Sequence, residues 1–435
     1  MRRTDGFGSN RGGMSAAALG QLAFEGPARF RGVAIVSGYG ARANLAGVLR
    51  RDDVEANRVG FLDVYRDPSA TAQSAFAARA LGGVRLERVA DDGSRTSLGA
   101  FLAFADYRSR ENFTGYLQRS RSNPEWVGRG DLIEQGNQDL GFGARVTHRT
   151  RRLAPTRWLA GDVELGLTLA AHRIEQQQNL LQLPQNATWD RRIDAQVRAS
   201  DIGFFADSDW RISRFVRVRA GVRADVLYFD VDDALGNFTP AFQRQSHYPG
   251  YRRTALGAAV GPRVTVEGRP LRWLDLVASY GEGYRSPQAL QLAEGENAPL
   301  TKVRGLEGGV KLHTCDGVLS ATAAGYATFL SSDLAFDPEE GALERVGPTT
   351  RRGFVVHVVA KPVPWLLGSA SLTYVHATLD EPPPATAENS SPPFEPGQLL
   401  PYVPPVVVRA DLGARHALGE LGGAKLEGRL DAGFS

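Results

Sequence analysis

The sequence predicts an all-β chain, an antiparallel up-and-down β-barrel that spans a membrane with strands. Three observations lead there. Residues 216–228, the second strand of a hairpin, alternate between an apolar face and a densely charged one. The connections further along alternate between short and long. No apolar run approaches the roughly 18–20 residues that a membrane-crossing helix needs, an absence that leaves room for a membrane barrel, whose strands carry a polar residue at every second position.

Residues 202–228 (IGFFADSDWRISRFVRVRAGVRADVLY) form two strands around a tight turn at Ser213-Arg214. In the second strand Val216, Val218, Ala220, Val222, Ala224, Val226 and Tyr228 share one face. Arg217, Arg219, Gly221, Arg223 and Asp225 share the other. Successive side chains of a strand point to opposite faces, so one surface is greasy and the other ionic. A soluble sheet also alternates in this way, with its apolar face on a core. In a membrane barrel the apolar face meets lipid and the polar face meets a wet lumen.

At 435 residues the chain suffices for one large barrel or two to three ordinary domains. Apolar residues make up 42% and charged residues 23%, a balance that a strand-spanning barrel shares with soluble proteins. The 49 glycines and 24 prolines suit turns and strand ends. A net charge of +3 gives no reason to expect a nucleic-acid partner. The predominance of arginine over lysine suits fixed ionic networks on a lumen wall. Cys315 stands alone, which rules out an internal disulfide, and the seven histidines show no metal-ligand spacing. Neither a cofactor nor a metal is implied. The first residues lack the apolar run of a secretion signal.

Residues 1–30 lack periodicity and remain unassigned; residues 31–435 carry the strand pattern of the partial barrel. Short turns are expected at 51–57, 90–94, 151–156, 212–214, 267–270, 313–317, 361–364 and 417–423. Long polar connections are expected at 108–138, 177–200, 230–251, 281–302, 331–351 and 380–401, and one of middling length at 67–73. An up-and-down barrel sorts its joins in this way, placing alternate joins at opposite rims; outer-membrane barrels have short periplasmic turns and long extracellular loops. Leu159, Val163, Leu165, Leu167 and Leu169 oppose Asp162, Glu164, Thr168 and His172. Val406, Val408, Ala410 and Leu412 oppose Arg409, Asp411 and Arg415. About sixteen such segments occur, each near the length of a tilted spanning strand. Residues 352–360 are nearly all apolar, so their facing is open. Trp210, Trp273, Trp365, Tyr228, Tyr280 and Tyr374 sit near strand ends, where interfacial aromatic girdles lie.

These residues resemble the β-barrel portion of TonB-dependent outer-membrane receptors. Residues 205–212 (FADSDWRI), followed by Gly221-Val222-Arg223-Ala224-Asp225, are similar to that family's acid-Trp hairpin leading into Gly-x-Arg-x-Asp. Gly261-Pro262-Arg263, residues 280–287 (YGEGYRSP), the Glu307/Gly309/Lys311 strand, Gly353, Pro364-Trp365-Leu366 and Pro401 follow in the family's order. Asn112 to Tyr116 and Gly130-Asp131-Leu132 add to it. The resemblance implies a barrel of about 22 strands around a plug. It further implies ligand capture by outer loops and energised uptake through a TonB-type inner-membrane complex. The plug and the segment gripped by that complex have no counterpart in the sequence. Val355 stands where the family has Glu. The expectation is therefore about 16 of the family's 22 strands, an incomplete barrel that would not close alone.

Catalysis finds no support. Asp207 and Asp209 share a face, but cross-strand pairing with Arg217 or Arg219 explains them better than paired catalytic carboxylates. Gly203-Phe204 and Gly281-x-Gly283 precede no helix, so they do not make a phosphate loop. The candidate functional positions are Arg217, Arg219, Arg223, Asp225 and Arg263, facing the lumen to seat a plug or attract an anionic ligand, and Tyr284 and Arg285 at the outer rim. The expected partners are outer-membrane lipid, the energy-transducing complex and an unidentified small ligand: a siderophore–metal complex, vitamin or oligosaccharide. The alternatives are a plugless passive pore or scaffold, and a soluble all-β surface protein or enzyme whose apolar faces pack together.

Overall fold

The structure is a computed structural model, and it describes all residues except 28, 67, 114–128, 183–184, 236–250, 286–299, 315, 338–341, 382–394, 402, 422–423 and 435. The first strands are β1 (Arg2–Thr4), β2 (Gly13–Gly26), β3 (Phe30–Asn44), β4 (Ser74–Val89), β5 (Arg95–Glu111) and β6 (Arg129–Arg149). They are followed by β7 (Ala160–Gln182), β8 (Ala187–Arg211), β9 (Val216–Asp233), β10 (Tyr251–Leu271), β11 (Leu274–Arg285), β12 (Thr301–His313) and β13 (Leu319–Leu330). A hairpin of β14 (Asp333–Asp337) and β15 (Ala342–Val346) precedes β16 (Thr349–Val363), β17 (Leu366–Leu379), β18 (Val406–Leu421) and β19 (Ala424–Phe434). Short helices α1 (Arg51–Glu55) and α2 (Pro68–Thr71) lie between β3 and β4.

Seventeen strands form one antiparallel sheet in which each pairs with its neighbour in the chain, β13 passing directly to β16. This is the up-and-down barrel architecture, with one strand more than the approximate count from sequence. The turn at Ser213 is as expected: its hydroxyl accepts the backbone N–H groups of Phe215 and Val216 at 3.1 Å. Cys315, Thr114 to Tyr116, Ser286 and Pro287 lie outside the described residues.

Several of these expectations are corrected. Residues 51–57 are not a turn between strands; with 67–73 they belong to one connection, 45–73, that holds α1 and α2. Residues 177–200 are not a long loop, since β7 and β8 run 23 and 25 residues and only 183–186 join them. Residues 230–233 likewise continue β9. Within residues 1–30 lie β1 and β2.

Register fixes the two faces. Across β5 to β10 one outward row reads Leu102, Phe142, Ala171, Ser200, Tyr228, Leu256. Leu102 is 56% exposed and Leu256 54%, values that suit contact with lipid and not a dry core. The facing of residues 352–360 is now settled: Phe354, Val356 and Val358 pair with Tyr374, Leu372 and Ala370 on this outward face. On β4 the apolar or small outward positions run from Phe76 to Leu86, or ~33 Å along the strand and ~25 Å of height at a tilt near 40°. Trp158, Trp273 and Trp365 are exposed at the short-turn rim, as an interfacial girdle requires.

From β7 to β10 the outward face becomes polar one strand step beyond the Leu102–Leu256 row. The next rows read Phe104, Leu140, Arg173, Arg198, Asp230, Thr254, and then Asp106, Gln138, Glu175, Gln196, Asp232, Arg252. At the same level the inward face turns apolar and buried, with Val197, Phe229, Val231 and Ala255 packing against Ile174, Ala199 and Leu227. Above the membrane the polarity thus reverts to that of a water-soluble protein.

The 45–73 connection is tied to the long-loop rim. Asn10 Nδ2 donates to the Leu45 carbonyl at 2.6 Å, and the buried Gln73 Oε1 accepts the Asn112 N–H at 2.9 Å. Hydrogen bonds from the Tyr65 hydroxyl (2.7 Å) and from Arg58 (2.6 Å) hold the Asp53 carboxyl below its ordinary pKa. The Arg50 fork does the same for Asp52.

Two predictions follow from these faces and this connection. Val222→Arg should destabilise the bilayer-inserted fold by about 2–4 kcal/mol, as a charge in the lipid band does. Ser279→Arg, inward and opposite Glu307, should cost about 0.5 kcal/mol or less. Denaturant titration in lipid vesicles measures both, and equal costs would contradict the assignment of faces. Because the two carboxyls are depressed, their contribution is complete above the ordinary range near pH ~4 and is lost only as pH falls through the lowered values. Hydrogen exchange across 45–73 should stay slow down to that range and quicken below it, while Asp53→Asn should quicken it at pH 7.

Candidate lumen-wall site

The inward faces of β7 to β12 carry an ionic lattice, positioned by the same alternation that greases the outer face. Arg217 grips Asp209 with both arms of its fork, with Nε to Oδ1 at 2.6 Å. Arg219 reaches the same carboxylate at 3.5 Å and Glu267 at 3.4 Å. Arg263 on β10 holds Asp207 on β8 through two bonds of 3.0 and 2.5 Å. Arg223 is bidentate on Asp225 and donates to Thr168 Oγ1 at 3.1 Å. All five lumen candidates lie on this one face in three separate knots, each residue paired with a carboxylate or a guanidinium. Exposed ion pairs contribute little singly, but a bidentate network fixes geometry.

Two glycines make this lattice possible. In register, Gly221 lies between Asp207 and Arg263, so the Arg263 side chain crosses β9 directly over it. A Cβ there would stand 1.9 Å from Asp207 Oδ1. Gly203 serves the second knot, where a Cβ would stand 2.3 Å from Asp225 Oδ1 and 2.6 Å from Thr168 Oγ1. Sequence reasoning saw both glycines without this role. The spacing Gly-x-Arg-x-Asp was the available signal: three same-face positions, the first left empty so that a neighbouring strand can reach across.

Toward the short-turn rim the lattice borders a cavity of about 780 Å³, lined from β6 to β13. Arg149, Arg217 and Lys311 face Asp162, Asp209 and Asp275 there.

At the long-loop rim Tyr284 and Arg285 part company. Tyr284 has outward parity, opposite Lys302, and its hydroxyl donates to the Val260 carbonyl at 2.6 Å. Arg285 points inward and joins Arg351 on Asp333, at 3.1 and 2.6 Å, with Thr349 Oγ1 donating to the same carboxylate at 2.8 Å. The Asp333 side chain is 2% exposed, so two guanidiniums and a hydroxyl supply what water would. This knot pins the base of the β14–β15 hairpin to β11 and β16; Asp333 was not singled out in the sequence. Among the described residues no group of histidine, cysteine and carboxylate side chains has a metal-binding arrangement.

A family model described as TonB dependent receptor-like, beta-barrel, matches residues 23–433. No match was found among curated protein sequences. Among solved structures, the ferric citrate transporter FecA superposes with a TM-score of 0.67 at 13% identity, over 95% of this chain and 56% of that one. The ferric-catecholate import receptor Fiu from E. coli K12 gives 0.68 at 15% identity, over 94% and 63%. The siderophore receptor PiuA from Acinetobacter baumannii gives 0.69 at 14% identity, over 93% and 63%. The chain thus spans about three fifths of the length of these structures.

The glycine crossing can be tested by a mutant cycle. Gly221→Ala should cost about 1–3 kcal/mol, the range for a forced close approach. In an Asp207→Ala background the same change should cost little, because the atom it strikes is gone. Unfolding midpoints in detergent report both, and an unchanged penalty in the double variant would refute the crossing.

Proposed function

From a chain that belongs to the TonB-dependent receptor β-barrel family, and so to the Gram-negative outer membrane, we propose the wall of a receptor that captures a scarce ligand outside and admits it by energised uptake. The observation that carries this reading is the family match across nearly the whole sheet. A ferric chelate is the first candidate among siderophore–metal complexes, vitamins and oligosaccharides, because the three structures compared above are named for ferric citrate, ferric catecholate and siderophore.

In this reading the lattice of Arg217, Arg219, Arg223, Asp225 and Arg263 acts as a stiff, near-neutral wall. Its pairs present oriented donors and acceptors to a plug or a passing ligand without releasing a free charge that would trap an anion. Arg285 serves by fixing the β14–β15 hairpin at the mouth, and Tyr284 stiffens the outer face of the rim. Energy would come from the TonB-type complex of the inner membrane. The fold and its paired side chains suit transport better than catalysis.

Cells expressing the gene from its own locus should accumulate a labelled ferric chelate, and an uncoupler should abolish that uptake. Purified protein in planar bilayers should show no steady conductance. A steady ohmic conductance together with uncoupler-insensitive passage would replace this reading with the passive pore.

A further inference from the structure

At the mouth of the barrel two arginines converge on one acid and are not exhausted by it. Among the described residues the Asp333 carboxylate accepts four hydrogen bonds. Arg285 Nη1 (3.1 Å) and the Leu334 N–H (2.8 Å) donate to Oδ1, and Arg351 Nη2 (2.6 Å) and Thr349 Oγ1 (2.8 Å) donate to Oδ2. A carboxylate offers about four lone-pair directions, so this acid is filled. The guanidiniums are not filled. Each reaches Asp333 through one terminal nitrogen, whereas Arg217 and Arg263 in the wall spend both arms on their own acids. Beyond Asp333, Arg285 makes a 3.4 Å contact with the Ser332 carbonyl, and Arg351 Nε, though buried, has no acceptor among the described residues.

The charge does not cancel either. Two cations meet one anion, and the inward positions around them on β12, β13 and β17 (Thr301, Val303, Thr328, Leu330 and Ala377) carry no charge. The Asp333 side chain is 2% exposed, while those of Arg285 and Arg351 are 37% and 36% exposed. The acid is thus an internal anchor, and the forks are the part that meets solvent. Arg285 holds Oδ1 and Arg351 holds Oδ2, so their spacing is already set to the width of one carboxylate. A second carboxylate presented from the open side meets the remaining N–H groups at that spacing, in the planar, charge-assisted arrangement that favours guanidinium over ammonium.

We propose that Arg285 and Arg351 form a clamp at the mouth that holds one carboxylate of a polycarboxylate chelator, with Asp333 and Thr349 as positioning residues. This site rests on the receptor reading above and gives that reading its ligand chemistry. Arg217, Arg223 and Arg263 have already spent their forks on Asp209, Asp225 and Asp207, so the clamp and not the wall separates an anionic ligand from a neutral one.

The test is isothermal titration calorimetry of the purified full chain in detergent. Binding is read there without uptake, so a failure of energised transport leaves the result untouched. Three probes are compared: tricarballylate, its neutral trimethyl ester, and inorganic phosphate. Tricarballylate should bind at least about tenfold more tightly than either of the others, the effect of one charge-assisted hydrogen bond. Arg285→Lys and Arg351→Lys keep the charge and one contact to Asp333 but remove the second arm. Each should weaken tricarballylate by about tenfold or more. Arg285→Gln with Arg351→Gln should abolish its binding, and Arg88→Lys at the opposite rim should leave it intact. In the unaltered chain, saturating tricarballylate should slow hydrogen exchange in residues 333–337 and 342–346, because the ligand braces the forks that hold the base of this hairpin. Equal binding of the ester or of phosphate would overturn the clamp. So would full affinity in both folded lysine variants, or unchanged exchange at saturation.

Discussion

The constraint on which the structure depends is that a strand in lipid must satisfy its backbone with its neighbours and its side chains with two incompatible surroundings. Lipid offers no hydrogen bonds, so a backbone group in the band has to find its partner within the sheet. The period of two then forces each strand to serve hydrocarbon on one face and the interior on the other. Register makes this collective: a slip of one residue in β9 would turn Arg217, Arg219 and Arg223 into lipid and Val218 and Val222 into the lumen. The pairing of Arg263 with Asp207 across Gly221 opposes such a slip, because it joins β10 to β8 only when the glycine lies between them.

The same constraint explains what was legible in the sequence. Residues 202–228 could be read because in the band the apolar face is unbroken and the other face is strongly ionic. Residues 190–200 and 229–233 alternate equally well, as Ile193, Ala195, Val197 against Asp194, Gln196, Arg198 show. There the phase is reversed with respect to the membrane, since these strands have left the lipid and their greasy side now faces inward. The tract 175–179 (EQQQN) is polar on both faces, and it hid the continuity of β7. The long join expected there is in physical terms a hairpin that protrudes from the bilayer.

The N-terminal strand was obscured for another reason. In β2 the run Ala16-Ala17-Ala18-Leu19-Gly20 has little contrast between its faces, so periodicity carries no signal. It is a strand because β3 supplies fourteen register partners for it. The 45–73 connection was misjudged because its charged residues imitate a turn between strands. Asp52, Asp53 and Arg58 are instead tied to Arg50 and Tyr65 within one folded connection. Of the candidate positions, the shared face of Arg217, Arg219, Arg223 and Asp225 was legible from parity, while Arg263 was reached through its Gly-Pro-Arg motif. Asp333 was not, because its partners Arg285 and Arg351 lie in distant strands and meet only through pairing in the sheet.

The glycine spacings bear on how a motif of this kind is to be understood. Gly221-x-Arg223-x-Asp225 looks like a signature for a ligand, yet its acid and base bind each other and its glycine is a gap for Arg263 to cross. The motif thus describes how three adjacent strands are locked at one height. A lock made of charges is possible only on the interior face, where water and paired ions satisfy each polar group; on the lipid face the same groups would be costly. Chemical specificity therefore has to be sought where the strands leave the bilayer. There the rim carries the hairpin held by Asp333 between Arg285 and Arg351, and at that height neither face is committed to hydrocarbon.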